Sequence, residues 1–173
     1  NMEVLSSFEK VPGTIVKEEN TVEKMLIRGI ARDNDIARIA LVNIHDTPGK
    51  AFQIFSLLAK KKINVDVILQ SIGRDGSKDI SFTVSRDDLE PALRVIDENN
   101  SLIGAESVVH DENVSKVSIV GAGMTSNPGV AALMFEALYD AGINIQMIST
   151  SEIRVSVLIN VKDAENAVRA IHS

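Results

Sequence analysis

The sequence predicts an α+β fold made of two βαββαβ units in tandem, each an antiparallel sheet with its helices on one face. Three observations predict it: an internal repeat, a Pro-Gly helix start in each copy, and a period-two strand after each of those helices. Around Pro48 the chain reads DTPGKAFQIFSLLAKKKINVDVILQS, and around Pro128 it reads SNPGVAALMFEALYDAGINIQMISTS. The two stretches align without a gap. Pro48/Pro128, Gly49/Gly129, Ala51/Ala131, Phe55/Phe135, Leu58/Leu138, Ile63/Ile143, Asn64/Asn144, Ile68/Ile148 and Ser71/Ser151 coincide. The match resumes after a shorter turn, where Ala92, Arg94 and Ile96 pair with Ala167, Arg169 and Ile171. Such self-similarity is the signature of a repeated structural unit.

Each copy opens on an apolar run, Ile36 to Ile44 and Val117 to Val120, which reads as a strand. A polar loop then ends in Pro-Gly. Pro48 and Pro128 suit the first helical position, where a missing N–H costs nothing; Asn127 is a good N-cap, and Asp46 or Thr47 serves in the first copy. Ala51, Ile54, Phe55 and Leu58, and likewise Ala131, Met134, Phe135 and Leu138, recur at i, i+3, i+4, i+7, one buried helical stripe. A turn at Asn64 or Asn144 leads into a second strand. In the third strand Ile80, Phe82 and Val84 alternate with Ser81, Thr83 and Ser85; in the other copy Val155, Val157, Ile159 and Val161 alternate with Ser156 and Asn160. One wet and one buried face indicate an antiparallel sheet covered on one side. Arg74-Asp75-Gly76 is the turn before it.

A second helix carries Leu89, Ala92, Leu93 and Ile96 in one copy and Ala164, Ala167, Val168 and Ile171 in the other. A fourth strand follows near Ala105 to His110. Each copy is thus ferredoxin-like. The second copy ends at Ser173 without a fourth strand, while a strand-like segment, Met25 to Ala31, precedes the first. That segment is expected to complete the second sheet, which would otherwise keep an unpaired edge, so the two domains interleave. The expected division is a tail at 1–22, a first domain at 36–111, and a second at 25–32 plus 114–173.

Composition narrows the function classes. Aromatic residues make up 3% and Trp is missing, so the core rests on Val, Ile, Leu and Ala. A net charge of −6 with both signs dispersed argues against a nucleic-acid surface, which needs a basic stripe. Without Cys there is no disulfide, thiolate metal site or Cys nucleophile. No apolar run approaches the ~18 residues of a membrane span, and the N-terminal stretch with Glu3 and Glu9 does not read as a signal segment. These features fit a cytoplasmic protein.

DTPG followed by INVDVILQS, and GAGMTSNPGVAALMFEAL followed by INIQMISTSEIRVSVLI, resemble the paired ACT domains at the C-terminal end of aspartokinases. The resemblance covers Met25 to Ser173, and INIQMISTSEIRVSVLI is its most specific part. SSFEKVPGTIV also resembles the last strand and turn of the aspartokinase catalytic domain. The family's catalytic K-x-G-G motif does not occur, so the resemblance implies a non-catalytic regulatory region or subunit. The kinase it regulates phosphorylates the side-chain carboxylate of L-aspartate with ATP, at the head of lysine, threonine and methionine synthesis, under inhibition by lysine, threonine or both. ATP and Mg would belong to the kinase domain, and this chain would hold no cofactor of its own. The implied partners are the effector amino acid, the catalytic domain or subunit, and a second copy, giving a homodimer through ACT domains.

An amino-acid effector presents a carboxylate, which suits the N–H donors and positive field of a helix start. After the two prolines those donors belong to Gly49, Lys50 and Ala51, and to Gly129, Val130 and Ala131. Its ammonium needs acceptors, which Asp66 and Gln70, at i and i+4 on the second strand, can provide. The resemblance places Asp46, Ala51, Asn64, Val65, Asp66, Gln70, Val130, Ala131, Asn144, Ile145 and Ser151 in effector sites between two ACT domains. The second copy has Gln146 and Thr150 where the first has Asp66 and Gln70, so the two sites are chemically unequal. A site with Asp66 has a carboxylate to spare, and lysine in one site with threonine in the other is the corresponding expectation.

Plainer readings stand beside these. Pro-Gly can be only a helix start, and an Asn before a strand only a turn residue. Gly121-Ala122-Gly123 lacks the third glycine of a nucleotide loop and reads as a strand-end turn. His45, His110 and His172 have no metal-ligand spacing. Asp87-Asp88 and Lys60-Lys61-Lys62 suit the charged first turn and last turn of a helix. An amino-acid-sensing ACT subunit of another biosynthetic enzyme would share the fold; a small enzyme on the same scaffold would need convergent acid-base or nucleophilic residues that this sequence does not offer.

Overall fold

The computed structural model describes residues 2–4, 14–16, 27–73, 75–121 and 129–172. Near the N-terminus β1 (Met2–Val4) pairs antiparallel with β2 (Thr14–Val16), Met2 opposite Val16. Most of the SSFEKVPGTIV segment lies outside the described residues, as do Arg74, Ala122-Gly123, Asn127-Pro128 and Ser173.

The first sheet contains β4 (Ile36–His45), β5 (Ile68–Gln70), β6 (Ser77–Ser85) and β7 (Ser107–Asp111), hydrogen-bonded in the order β5-β6-β4-β7. Three helices cover it: α1 (Lys50–Lys60), α2 (Arg86–Glu98) and the single turn α3 (Asn100–Ile103). The core follows from two periodicities meeting. Ile80, Phe82 and Val84 point from β6 to the helices, and Ile54 and Leu58 of α1 and Leu89, Ala92 and Ile96 of α2 point back. Phe82 meets Phe55 edge-to-face, with ring centroids 5.4 Å apart. The turn α3, which helical periodicity did not reveal, buries Ile103.

The second sheet contains β3 (Ile27–Asp33), β8 (Val114–Gly121), β9 (Met147–Thr150) and β10 (Arg154–Asn160), in the order β3-β8-β10-β9. Its helices are α4 (Val130–Asp140) and α5 (Ala164–His172). β3 runs antiparallel to β8, Ile30 opposite Ile119 and Asp33 opposite Lys116. The chain then crosses through Asn34-Asp35 into β4, so a strand that precedes the first unit is bonded into the second sheet. The Ser115 hydroxyl fixes this crossing by bonding Asp33 O (3.2 Å) and Asn34 Oδ1 (2.6 Å).

Two expectations from alternation are corrected. β10 stops at Asn160; Val161 opens a 3-10 turn (Val161–Asp163), because the Asn160 side chain accepts the Lys162 N–H (3.0 Å) and ends the ladder. The face assigned to solvent is also partly covered. Ser118 and Ser156, cross-strand neighbours, are buried and hydrogen-bonded to each other at 2.7 Å. Thr83 is buried too, its hydroxyl accepting the Val67 N–H (3.1 Å). Hydroxyls survive burial when paired; leaving one unpaired costs roughly 1–3 kcal/mol.

The two units meet at a small apolar joint of Ile36, Val67, Val114, Met147 and Leu158. Beside it Lys116 of β8 makes an ion pair with Asp66 of the first unit and a longer one, 3.9 Å, with Asp33. No helix among the described residues is long and apolar enough to cross a membrane.

Candidate functional site

The four longer helices begin in two different ways. α2 is capped by Ser85, whose hydroxyl accepts the Asp88 N–H (3.3 Å), and carries Asp87 and Asp88 in its first turn. α5 follows the Asn160-capped turn and carries Glu165. α1 and α4 have neither device: their N-caps are Gly49 and Gly129, no side chain caps them, and no acidic residue stands in the first turn. Both glycines are left-handed, with φ 90° and 107°, a conformation that penalises any Cβ. The space facing each glycine Cα is open to 4 Å.

The expected caps therefore do not form. Pro48 precedes the helix instead of starting it, and Gly49 takes the cap position that Asp46 or Thr47 was expected to fill. Asp46 is engaged elsewhere, with Lys78 Nζ at 2.8 Å. In the second copy Gly129, not Asn127, is the N-cap. A helix start lacks partners for its first N–H groups. Among the described residues those of Ala51 and Phe52 donate to no protein acceptor, while Gln53 N bonds Gly49 O at 2.9 Å. Lys50 N donates to Thr47 O at 3.4 Å; among the described residues no side chain caps the positively polarised starts of α1 and α4, and no acidic residue stands in their first turns.

The remaining residues of the set fall at two ends of each sheet. His45 lies opposite Ser77 and Arg38 opposite Thr83, while Asp66 N bonds Thr83 O (3.1 Å) and Asp46 N bonds Gly76 O (2.8 Å). Asp46 and Ala51 are thus at one end of the first sheet and Asn64, Val65 and Asp66 at the other. Six strand positions separate these ends, about 20 Å at strand rise. Gln70, inside β5 opposite Ile80, lies midway between the two ends. In the second sheet Ser151 N bonds Arg154 O (2.7 Å), beside Val120 at the Gly121 end, whereas Gln146 N bonds Leu158 O (2.8 Å), opposite Lys116. Ser151, Val130 and Ala131 therefore share one end and Asn144 and Ile145 the other.

Asp46, Ala51, Asn64, Asp66, Gln70, Asn144 and Ser151 are exposed, Val65, Ala131 and Ile145 half-buried. Val130 is buried in the core of the second unit. Within one unit the structure does not bring a helix start and an Asn-bearing end together.

Two residues outside the expected set belong beside it. Lys78 and Lys116, 7% and 12% exposed, each pair with one of the set's two carboxylates, Asp46 and Asp66. The charge counted as spare on Asp66 is engaged by Lys116. Lys116 also borders a shallow depression of about 200 Å³ on the open sheet face, with Arg32, Asp33, Ser118 and Arg154. Among the described residues no three His, Asp or Glu side chains gather as a metal site.

Comparison with known proteins agrees with this architecture. The family model described as ACT domain matches residues 39–99 and 117–173. An aspartokinase of Pseudomonas aeruginosa is 46% identical over 99% of this chain, which spans 42% of that protein's length. The regulatory subunit of aspartate kinase from Thermus thermophilus, solved ligand-free, superposes with a TM-score of 0.81 at 41% identity, covering 85% of this chain and 97% of that one. A chain from a structure of aspartokinase alpha and beta subunits gives 0.79 at 49% identity, covering 84% and 96%.

Proposed function

Because the chain belongs to the aspartokinase family, where it corresponds to the regulatory part carrying paired ACT domains, we propose that it binds lysine and/or threonine and thereby inhibits phosphorylation of L-aspartate by ATP. Aspartate, ATP and Mg are handled by the catalytic part, and this chain contributes the sensor. One observation carries the reading: α1 and α4, and not α2 or α5, start without a cap or an acid. A helix start left positive and open in both copies of a repeat is suited to a carboxylate. Asn64 to Asp66 and Asn144-Ile145 then supply carbonyl and side-chain acceptors for the ammonium.

Each site is completed by a second copy of the chain. β5 and β9 are the edge strands of their sheets, and their equivalent residues Ile68 and Ile148 are exposed. Antiparallel pairing of such edges sets the end of one strand beside the start of the other. A helix start from one copy thereby meets an Asn-bearing end of its partner. An effector spanning both halves favours the arrangement that closes them, with leverage equal to its differential affinity, commonly ~1–3 kcal/mol.

A thermal-shift screen of the common amino acids, run with sedimentation velocity, tests this. Lysine or threonine at ~100 times its dissociation constant is expected to add ~2.7 kcal/mol of stability and to raise the dimer fraction. No stabilisation by any amino acid would refute it.

A further inference from the structure

We propose that the joint between the two units is a two-position coupling: an ion pair from Lys116 to Asp66 holds one position, and a contact from Arg38 to Gln146 holds the other. The inference rests on the effector-binding reading above and deepens it, because Asp66 stands at the Asn-bearing end where an effector's ammonium is received.

The joint is built with approximate twofold symmetry. Ile36 and Val67 of the first unit meet Val114 and Met147 of the second in one apolar cluster. The polar residues beside it follow the same register. Arg38 of β4 lies opposite Thr83, whose carbonyl accepts the Asp66 N–H (3.1 Å). Lys116 of β8 lies opposite Leu158, whose carbonyl accepts the Gln146 N–H (2.8 Å). Arg38 and Lys116 are therefore equivalent positions, as are Asp66 and Gln146. By that symmetry Arg38 stands to Gln146 as Lys116 stands to Asp66.

Only one of the two links is made. Lys116, 12% exposed, pairs with Asp66 across the joint. On the other side Arg38 Nε and Gln146 Oε1 are buried, and neither has a hydrogen-bond partner among the described residues. A buried donor and a buried acceptor left unpaired cost free energy that a mutual bond would recover. With the apolar cluster as pivot, rocking one unit against the other closes one link as it opens the second.

An effector supplies the push. Its ammonium on Asp66 competes with Lys116 for the same carboxylate, and like charges brought together at an interface are strongly disfavoured. Lys116 is not stranded by the loss, since Asp33 of its own unit is 3.9 Å away. The link between units opens while the cation stays paired within the second unit, and Arg38 gains Gln146. Binding and rocking are then reciprocal: whatever weakens the first link favours the effector, and whatever weakens the second opposes it.

The test titrates the ¹⁵N-labelled protein with threonine and separately with lysine. Affinity is read at the Val65 amide and the state of the joint at the Arg38 Nε–H signal. Bound ligand is expected to move that signal downfield and slow its exchange with solvent, as a new hydrogen bond does. Lys116→Met should tighten binding about tenfold and move the Arg38 signal toward its bound position before ligand is added. Lys116→Arg, which keeps the ion pair, should match the unsubstituted protein in both readings. Arg38→Met, which removes an unpaired donor, should weaken binding about tenfold. Affinity changes of the same sign in Lys116→Met and Arg38→Met overturn the inference while leaving the effector reading intact. So does an Arg38 signal that bound ligand leaves unmoved. Failure of both amino acids to shift the Val65 amide or any amide of α1 or α4 removes the effector reading itself.

Discussion

Phe82→Ala is expected to destabilise the first unit by about 3–5 kcal/mol, a large share of the 5–15 kcal/mol typical of a whole domain. Phe82 is fully buried at the centre of β6, between Ile39 of β4 and Ile68 of β5, and beneath α1. Its loss removes the largest apolar surface of a core poor in aromatics, together with the edge contact to Phe55. The neighbours are β-branched residues on a hydrogen-bonded sheet and cannot collapse into the space. Urea unfolding followed by circular dichroism checks this; a loss below about 1 kcal/mol would mean that the helices do not pack on β6 as described.

Ala51→Asp should separate stability from function. The side chain is exposed in the first turn of α1, where the chain has no acid. A carboxylate there complements the helix dipole and is expected to stabilise the protein by about 0.3–1 kcal/mol. The same carboxylate would satisfy the N–H groups offered to an effector and repel its carboxylate, weakening binding at that site about 100-fold. Calorimetry and thermal melting of one variant give both signs. Affinity left unchanged beside the expected stabilisation would show that no ligand carboxylate docks at this helix.

Much of this architecture is legible in the sequence because periodicity reports burial directly. The stripe of Ile54, Phe55 and Leu58 and the alternation through Ile80, Phe82 and Val84 place two elements and the surface between them. Capping is less legible. Asp46, Thr47 and Asn127 are all good cap residues, but a left-handed glycine moves the helix start past them, and an ion pair with Lys78 takes Asp46 away. Polar faces are also misjudged by alternation alone, since Ser118 and Ser156 satisfy each other across two strands and so tolerate burial.

The two ends of each sheet were harder still to read. Asp66 and Gln70 are four residues apart, yet only Gln70 lies within β5, midway along the sheet, while Asp66 sits at the end beside Lys116. Lys78 did leave a trace in the sequence: a lysine at the parity of three core residues signals either an ion pair or a break in the strand. Its partner could not be named without the register that sets His45 against Ser77.

A crystal structure grown with saturating threonine tests the central claim most directly. A ligand carboxylate is expected within hydrogen-bond reach of the N–H groups that open α1 or α4, with its ammonium held by Asn144-Ile145 or Asn64 to Asp66 of a second copy. Threonine bound instead in the open-face depression around Lys116, Ser118 and Arg154, with both helix starts covered by protein side chains, would contradict it.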